Sequence, residues 1–412
     1  MQVKRLIRAL SLLLPLGAFA ESAGAQNSGN ALTLEQALNR ARVKAPLLLS
    51  AQARIEEARG RLKGASILLP ANPVIDGTVG PRFSNQGNTT DADLSISQDL
   101  DPPGRRNARI AGAQAGVNRE MAVSQETGRA LLREVAVAFM RALAAKEKLN
   151  VLTMADQVSS DLLRTSESRY QAGDIPLLQV NLARNGVARA RSEFRSGRAE
   201  LASALGELRV LLGMPADEEF SVSGDLTAFG KHDLAALAAL AEDRPDIKLL
   251  ESELQEALSD VRLGNTFKSP DFGVIARYLR DQGDNIAQAG VRVTIPVFSR
   301  GQELSATGSA RATRIRAELA ARKTAIRAEI GAAFDAYTYR AEAAQELQRL
   351  ALPGLEENET LARRSFQEGE IGLPELLLIR REILETRLSY VNTLLEAALS
   401  AVDLEFKAGV LK

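Results

Sequence analysis

Arg169-Tyr170-Gln171-Ala172-Gly173-Asp174-Ile175 returns 196 residues later as Ser365-Phe366-Gln367-Glu368-Gly369-Glu370-Ile371. The register holds downstream, where Arg184 meets Arg380, Phe194 meets Tyr390 and Gly213 meets Gly409. A period of about half the chain is a duplicated unit, far longer than the repeats of about 20–50 residues that build solenoids. In both copies a glycine follows a long run rich in Ala, Leu, Arg and Glu, proline-free in the first copy, and a proline follows the glycine. Glycine tolerates the left-handed conformation that ends helices, and proline suits a helix's first turn. Each copy therefore reads as the tip of a helical hairpin.

Outward from the first tip, helical sequence runs from about residue 105 to 172, roughly 100 Å at about 1.5 Å per residue. Its apolar spacing is heptad-like through Val135, Ala142 and Leu149. The return helix ends near Gly213-Met214-Pro215. In the second copy the long helix spans about 301–368, with Pro353 expected to kink it or free a carbonyl. Its return helix ends near Lys407. Ahead of each long helix the period changes to two. Ile75, Val79 and Phe83 alternate with Asp76, Thr78 and Arg82, and Ala92, Leu94 and Ile96 alternate with Asp91, Asp93, Ser95 and Ser97. In the second copy Ala287, Ala289, Val291, Val293 and Ile295 alternate with Gln288, Arg292 and Thr294. The strand before it is less regular, because Ile275 and Leu279 fall on the polar side. These are β-hairpins with one apolar and one polar face, over about 74–98 and 271–297. Each is preceded by a short helix and a longer one; Thr33-Leu34-Glu35-Gln36 opens the first as a capping box.

The 412 residues divide into a leader over 1–25, a first repeat over 26–230 and a second over 231–412. Lys4, Arg5 and Arg8 precede the apolar run Leu10 to Ala20, and Ala23-Gly24-Ala25 offers a cleavage site, the pattern of an export signal. The alternative is a buried N-terminal helix. Downstream, no apolar run reaches the 18 or so residues of a spanning helix. Lys+Arg and Asp+Glu both total 52, a balance that argues against nucleic-acid binding. Cysteine and tryptophan are absent and histidine occurs once. The sequence shows no glycine-rich phosphate loop, triad or metal cluster, so we expect no catalytic residues, no cofactor and no bound metal. His232 stands in an irregular connector, and a lone histidine makes a poor metal site.

Four strands with one continuous apolar face cannot bury it alone. In an exported chain, ten-residue alternation suits a transmembrane β-barrel, apolar side out. The smallest such barrel has about eight strands, so two or three chains would share one. A soluble β-sandwich attached to helices is the alternative.

The order short helix, helix, hairpin, very long helix, glycine tip and return helix, twice over, resembles the TolC-type outer-membrane efflux family across the mature chain. The two heptapeptides quoted above look like that family's periplasmic tip turns, and Val293-Thr294-Ile295-Pro296-Val297-Phe298 looks like its second-repeat strand end. Ser97-Gln98-Asp99-Leu100, Gly104-Arg105-Arg106 and Arg109 look most like the branch serving heavy-metal RND efflux pumps. The resemblance implies a mainly α fold, with helical hairpins forming a periplasmic α-barrel. Four strands per chain would enter a shared trimeric β-barrel in the outer membrane of a Gram-negative bacterium. It implies a homotrimer in contact with outer-membrane lipid, a periplasmic adaptor (membrane fusion) protein and an inner-membrane RND-type pump. The function so implied is a passive exit duct for metal cations or small toxic compounds. A type I protein secretion duct and an exported coiled-coil scaffold without a pore are the alternatives.

On this reading Gly173, Asp174, Ile175, Gly369, Glu370 and Ile371 form the adaptor-facing turns. Asp174, Glu368, Glu370 and Glu375 are candidates for an acidic entrance ring, and Arg169 and Arg364 for gating partners of those acids. Asp76, Arg82, Asp91, Asp93 and Arg292 are expected to face the lumen.

Overall fold

A computed structural model describes residues 31–83, 87–228, 230 and 232–411. The leader expected over 1–25 lies outside the described residues. Helix α1 (Leu34–Lys44) opens with the expected capping box: Thr33 Oγ1 accepts from the Gln36 amide and Gln36 Oε1 accepts from the Thr33 amide. Helix α2 (Pro46–Ala65) ends five residues ahead of Pro70. Ser66 donates its hydroxyl to the Lys63 carbonyl, and Leu69 precedes proline, where helical backbone is disfavoured. Strands β2 (Val74–Arg82) and β3 (Thr89–Leu100) form the first hairpin. Helix α3 (Arg105–Gln171) runs unbroken for 67 residues, and α4 (Leu177–Leu211) returns beside it.

The chain continues through α5 (Leu234–Leu240), which Asp233 caps, and α6 (Pro245–Thr266). Strands β5 (Asp271–Asp281) and β6 (Asp284–Thr294) follow. They are joined by Gln282-Gly283, both at positive φ (52° and 94°), the tight turn that suits the twist of a hairpin. The second long helix is not continuous. Helix α7 (Gln302–Glu346) gives way to a π-helical turn over Leu347–Ala351 before α8 (Leu352–Glu368). Pro353 cannot donate an amide and its ring would strike the carbonyl four residues back. The wider turn relieves that clash, with the Leu352 amide bonding Leu347 five residues back. Helix α9 (Leu373–Ala408) returns.

Sequence reading missed one element pair. Ala31–Leu32 (β1) pairs in parallel with Ser221–Val222 (β4) inside the connector that read as irregular. Two-residue strands carry no period to detect. This pairing lies against the largest core, where Val135, Phe139 and Ala142 of α3 meet Leu208 of α4 and Leu394 and Ala397 of α9. The many alanines let these helix axes approach closely. Among the described residues no helix is long and apolar enough to cross a membrane.

Candidate functional site

Strands β2, β3, β5 and β6 form one antiparallel sheet in the order β2-β3-β5-β6. Its register settles which residues share a face. One row across the sheet reads Ile75, Ile96, Ala276, Ala289, and the next but one reads Gly77, Leu94, Tyr278, Ala287. Toward the helices, Leu100, Phe272 and Val293 continue this face. Its large side chains are exposed: Ile75, Val79, Leu94, Val274 and Val291 have no cover. Of the polar residues on it, Arg280 sits one row from the hairpin end.

The opposite face carries Asp76, Arg82, Asp91, Asp93 and Arg292, so the five residues expected to share a face do share one. Arg82 Nε lies 2.6 Å from Asp91 and its guanidinium also pairs with Asp281. Arg277 Nε donates to Asp93 at 2.9 Å, and Arg292 lies 3.6 Å from Asp99. The partners Arg277, Asp99 and Asp281 escaped the sequence reading. Parity along β5 places Arg277 with them, but Ile275 and Leu279 on either side concealed it. In all, this face holds seven aspartates (76, 91, 93, 99, 271, 281, 284) against three arginines (82, 277, 292). Arg105 offsets Asp271 from the junction, and the remaining surplus leaves this face negative.

The junction between sheet and helices is pinned by arginines of the 104–109 segment. Gly104, at φ 87°, starts α3. Arg105 donates to Asp271 at 2.5 Å and stacks over Phe267 at 4.4 Å. Arg109 pairs with Asp101, and Arg106 donates to the Ser66 carbonyl at 2.9 Å. On the other side α6 and α7 cross in near backbone contact. A Cβ on Gly301 would lie onto the Gly264 carbonyl oxygen and 2.9 Å from its carbon.

At the far end of the helices the two tips are built alike. Gly173 has φ 83° and Gly369 has φ 79°. The Asp174 amide bonds the Arg169 carbonyl at 2.9 Å, and the Glu370 amide bonds the Ser365 carbonyl at 2.8 Å. Each closes the last turn with the six-to-one bond that a left-handed residue permits. The tips stand side by side: Leu162, Ala183, Ala362, Phe366, Leu373 and Leu376 form one cluster, and Arg169 lies 5.5 Å over the Phe366 ring. Ile371 packs against this cluster, and Ile175 is half-buried. Asp174, Glu368, Glu370 and Glu375 are exposed. Arg364 bonds Glu368 along its own helix at 2.9 Å, so within one chain it does not bridge the two tips. An exposed pair of this kind contributes little to stability. His232 meets the Tyr337 ring edge-on at 5.2 Å, and Tyr337 donates its hydroxyl to the Gly230 carbonyl. Among the described residues no group of three or more His, Cys, Asp or Glu is placed to hold a metal.

An exposed apolar sheet face, a charged opposite face and a long helical stalk are the plan of a chain suited to a membrane surface. Residues 37–214 match the family model described as outer membrane efflux protein. Over 368 residues the chain is 25% identical to the cobalt-zinc-cadmium resistance protein CzcC of Cupriavidus metallidurans, covering 88% of this chain and 86% of that one. It is 24% identical to the pyoverdine export outer membrane protein OpmQ of Pseudomonas aeruginosa, covering 65% of this chain and 62% of that one. Among solved structures, the fold matches CusC with a TM-score of 0.76 at 18% identity over 95% of both chains. It matches the CmeC outer membrane channel of Campylobacter jejuni with a TM-score of 0.74 at 15% identity, over 97% of this chain and 94% of that one. Across residues 37–214 the chain is thus similar to the outer membrane efflux proteins, and its overall fold is that of the channels just named.

Proposed function

We propose that three copies of this chain form the outer-membrane exit duct of a tripartite efflux system. A periplasmic adaptor and an inner-membrane RND-type pump deliver the cargo, and the cargo is a metal cation or a small toxic compound. The observation that carries this reading is the sheet. Its apolar face is bare, its other face is rich in aspartate, and β2 and β6 leave both edges unpaired. Because the four strands are antiparallel and even in number, β6 of one copy runs antiparallel to β2 of the next. Three copies close twelve strands with the apolar face to lipid and the aspartates to water. The repeats over 26–230 and 231–412 each supply two of the strands and one helical hairpin of the tunnel wall. The resistance role in the name of the Cupriavidus relative supports a metal cargo.

In planar bilayers the protein should conduct ions and prefer cations. Neutralising the strand aspartates should weaken that preference, and neutralising Asp174, Glu368, Glu370 and Glu375 should weaken it further if these acids ring the entrance. Cysteines placed on β2 and β6 should cross-link between copies. A protein that conducts nothing and forms no such cross-link would be the non-porous scaffold instead.

The tip turns are proposed as the adaptor-docking end. Replacing Gly173 and Gly369 with valine forces a β-branched residue into the left-handed region, at roughly 1–2 kcal/mol per turn. Nothing lies within 4 Å of either added Cβ, so the damage stays local. Trimers should survive while export is abolished. Normal resistance of cells carrying the double variant would remove the docking role.

A further inference from the structure

The helices of one chain form an arc with two open ends. α3 packs on α4, α6 and α9, while α7 packs on α6 and α9. With α9 standing between α3 and α7 in the half nearer the tips, α4 is the last helix there on one side and the α7–α8 rod the last on the other, while α2 packs on α3 farther from the tips, where Leu48 meets Gly128. The two ends carry different, complementary surfaces. On α4, Gly197 meets Leu149 and Leu152 of α3. The far side of α4 exposes small residues, among them Ala199 and Ser203, edged by Arg195 and Arg198. Arg184 and Arg191 of the same helix pair with Glu167 and Asp156 of α3, at 3.0 and 3.7 Å. Arg195 and Arg198 have no acidic partner among the described residues. On the rod, Tyr339 and Leu350 are 70% and 61% exposed. Glu342 and Glu346 lie between them on the same stripe, exposed and without a basic partner among the described residues.

The heights agree. Arg195 and Arg198 lie 22 and 25 residues beyond Gly173, and Glu346 and Glu342 lie 23 and 27 residues before Gly369. Since the two tips are level, both pairs stand about 33–40 Å above them at about 1.5 Å per residue.

We propose that these two surfaces are the halves of one contact between neighbouring copies. Arg195 and Arg198 meet Glu346 and Glu342 of the next chain, and Tyr339 and Leu350 of that chain seat against the small residues of α4. The contact is head-to-tail, so a fixed rotation closes it into a ring. Large side chains over small ones supply the buried area, and the charges fix height and partner. The inference rests on the ring of copies proposed above and names what holds its periplasmic part.

The test uses the full chain extracted from outer membranes. Reversing both arginines (Arg195→Glu with Arg198→Glu) should lower the trimer fraction on native electrophoresis by roughly tenfold or more, and adding Glu342→Arg with Glu346→Arg should restore it. Should the reversal prevent accumulation, the milder Arg195→Gln with Arg198→Gln should abolish the salt dependence of trimer dissociation. An unchanged trimer fraction with the reversal, or no recovery in the fourfold variant, overturns the contact. A stable trimer that has lost only adaptor capture also overturns it, assigning the stripe to the adaptor. The β2–β6 cross-link, run on the same samples, separates the two levels. Cross-linking with a charge-insensitive trimer sinks this contact alone, and no cross-linking sinks the ring as well.

Discussion

Gly301→Ala is expected to destabilise the folded protein by about 3 kcal/mol or more. Two costs combine. Gly301 sits at φ 71°, where a Cβ costs roughly 1–2 kcal/mol. That Cβ would also lie onto the Gly264 carbonyl, a backbone group that cannot rotate away. Overpacking of this sort costs about 1–3 kcal/mol more. Gly264→Ala fails from the other side, its Cβ falling 2.8 Å from the Ser305 amide nitrogen, which itself bonds the Gly301 carbonyl at 3.0 Å. Since α6 leads into β5 and β6 leads into α7, prising this crossing open disturbs both strands of the second hairpin. Gly331 is the control, because no atom lies within 4 Å of an added Cβ. Its alanine variant should be neutral or slightly more stable. Heat denaturation followed by circular dichroism separates the two, and equal behaviour of the Gly301 and Gly331 variants would refute the crossing as a constraint.

Arg244→Ala should cost about 3–5 kcal/mol, the range for breaking a buried, hydrogen-bonded charge pair. The side chain is 1% exposed. It grips Asp246 through two bonds of 2.9 and 2.8 Å and donates to the Lys407 carbonyl at 2.7 Å, tying the start of α6 to the end of α9. The variant leaves that carbonyl bare and Asp246 with Arg322 as its remaining guanidinium, at 2.8 Å. Burial pushes the Asp246 carboxyl up, but the hydrogen bonds from Arg244 and Arg322 outweigh it and hold it below the usual carboxylate range. A depressed carboxyl stabilises the fold above its unfolded value, near 4, and loses that contribution as pH falls through the lower folded value. The wild type should therefore show an acid-labile share of stability below about pH 4 that is smaller in the variant. Melting temperatures across pH 3–7 report both effects, and parallel curves of equal height would refute the role assigned to Arg244.

The fold was largely legible because its signals are long. A run of 67 residues without proline declares α3, and strict alternation along β6 declares its two faces. The glycines at 173 and 369 announced their turns because only glycine accepts that backbone cheaply. What stayed hidden depends on partners distant in sequence. β1 and β4 are two residues each and exist only by pairing with one another. Arg277 lay in an irregular strand, and its role emerges only where the fold brings Asp93, diagonal to it on the neighbouring strand, within hydrogen-bond reach. Pro353 foretold a disturbance, but whether the helix bends or widens is decided by the turn ahead of it, which took the π form. Of the arginines expected to meet the tip acids, Arg364 pairs with Glu368 but along its own helix, and Arg169 turns to an aromatic ring. Side-chain direction at an exposed helix end has no signal in one sequence.

The link between β5 and β6 has a consequence at the cell surface. With Gln282 and Gly283 alone between the strands, the second hairpin turns back as soon as it can. In the orientation proposed, each copy presents that hairpin to the outside as little more than a bare bend. Between Arg82, where β2 ends, and Thr89, where β3 begins, the sequence has six residues against two in the other link. An antibody or phage seeking this duct from outside the cell would find few handles there, and escape variants should concentrate in those six residues.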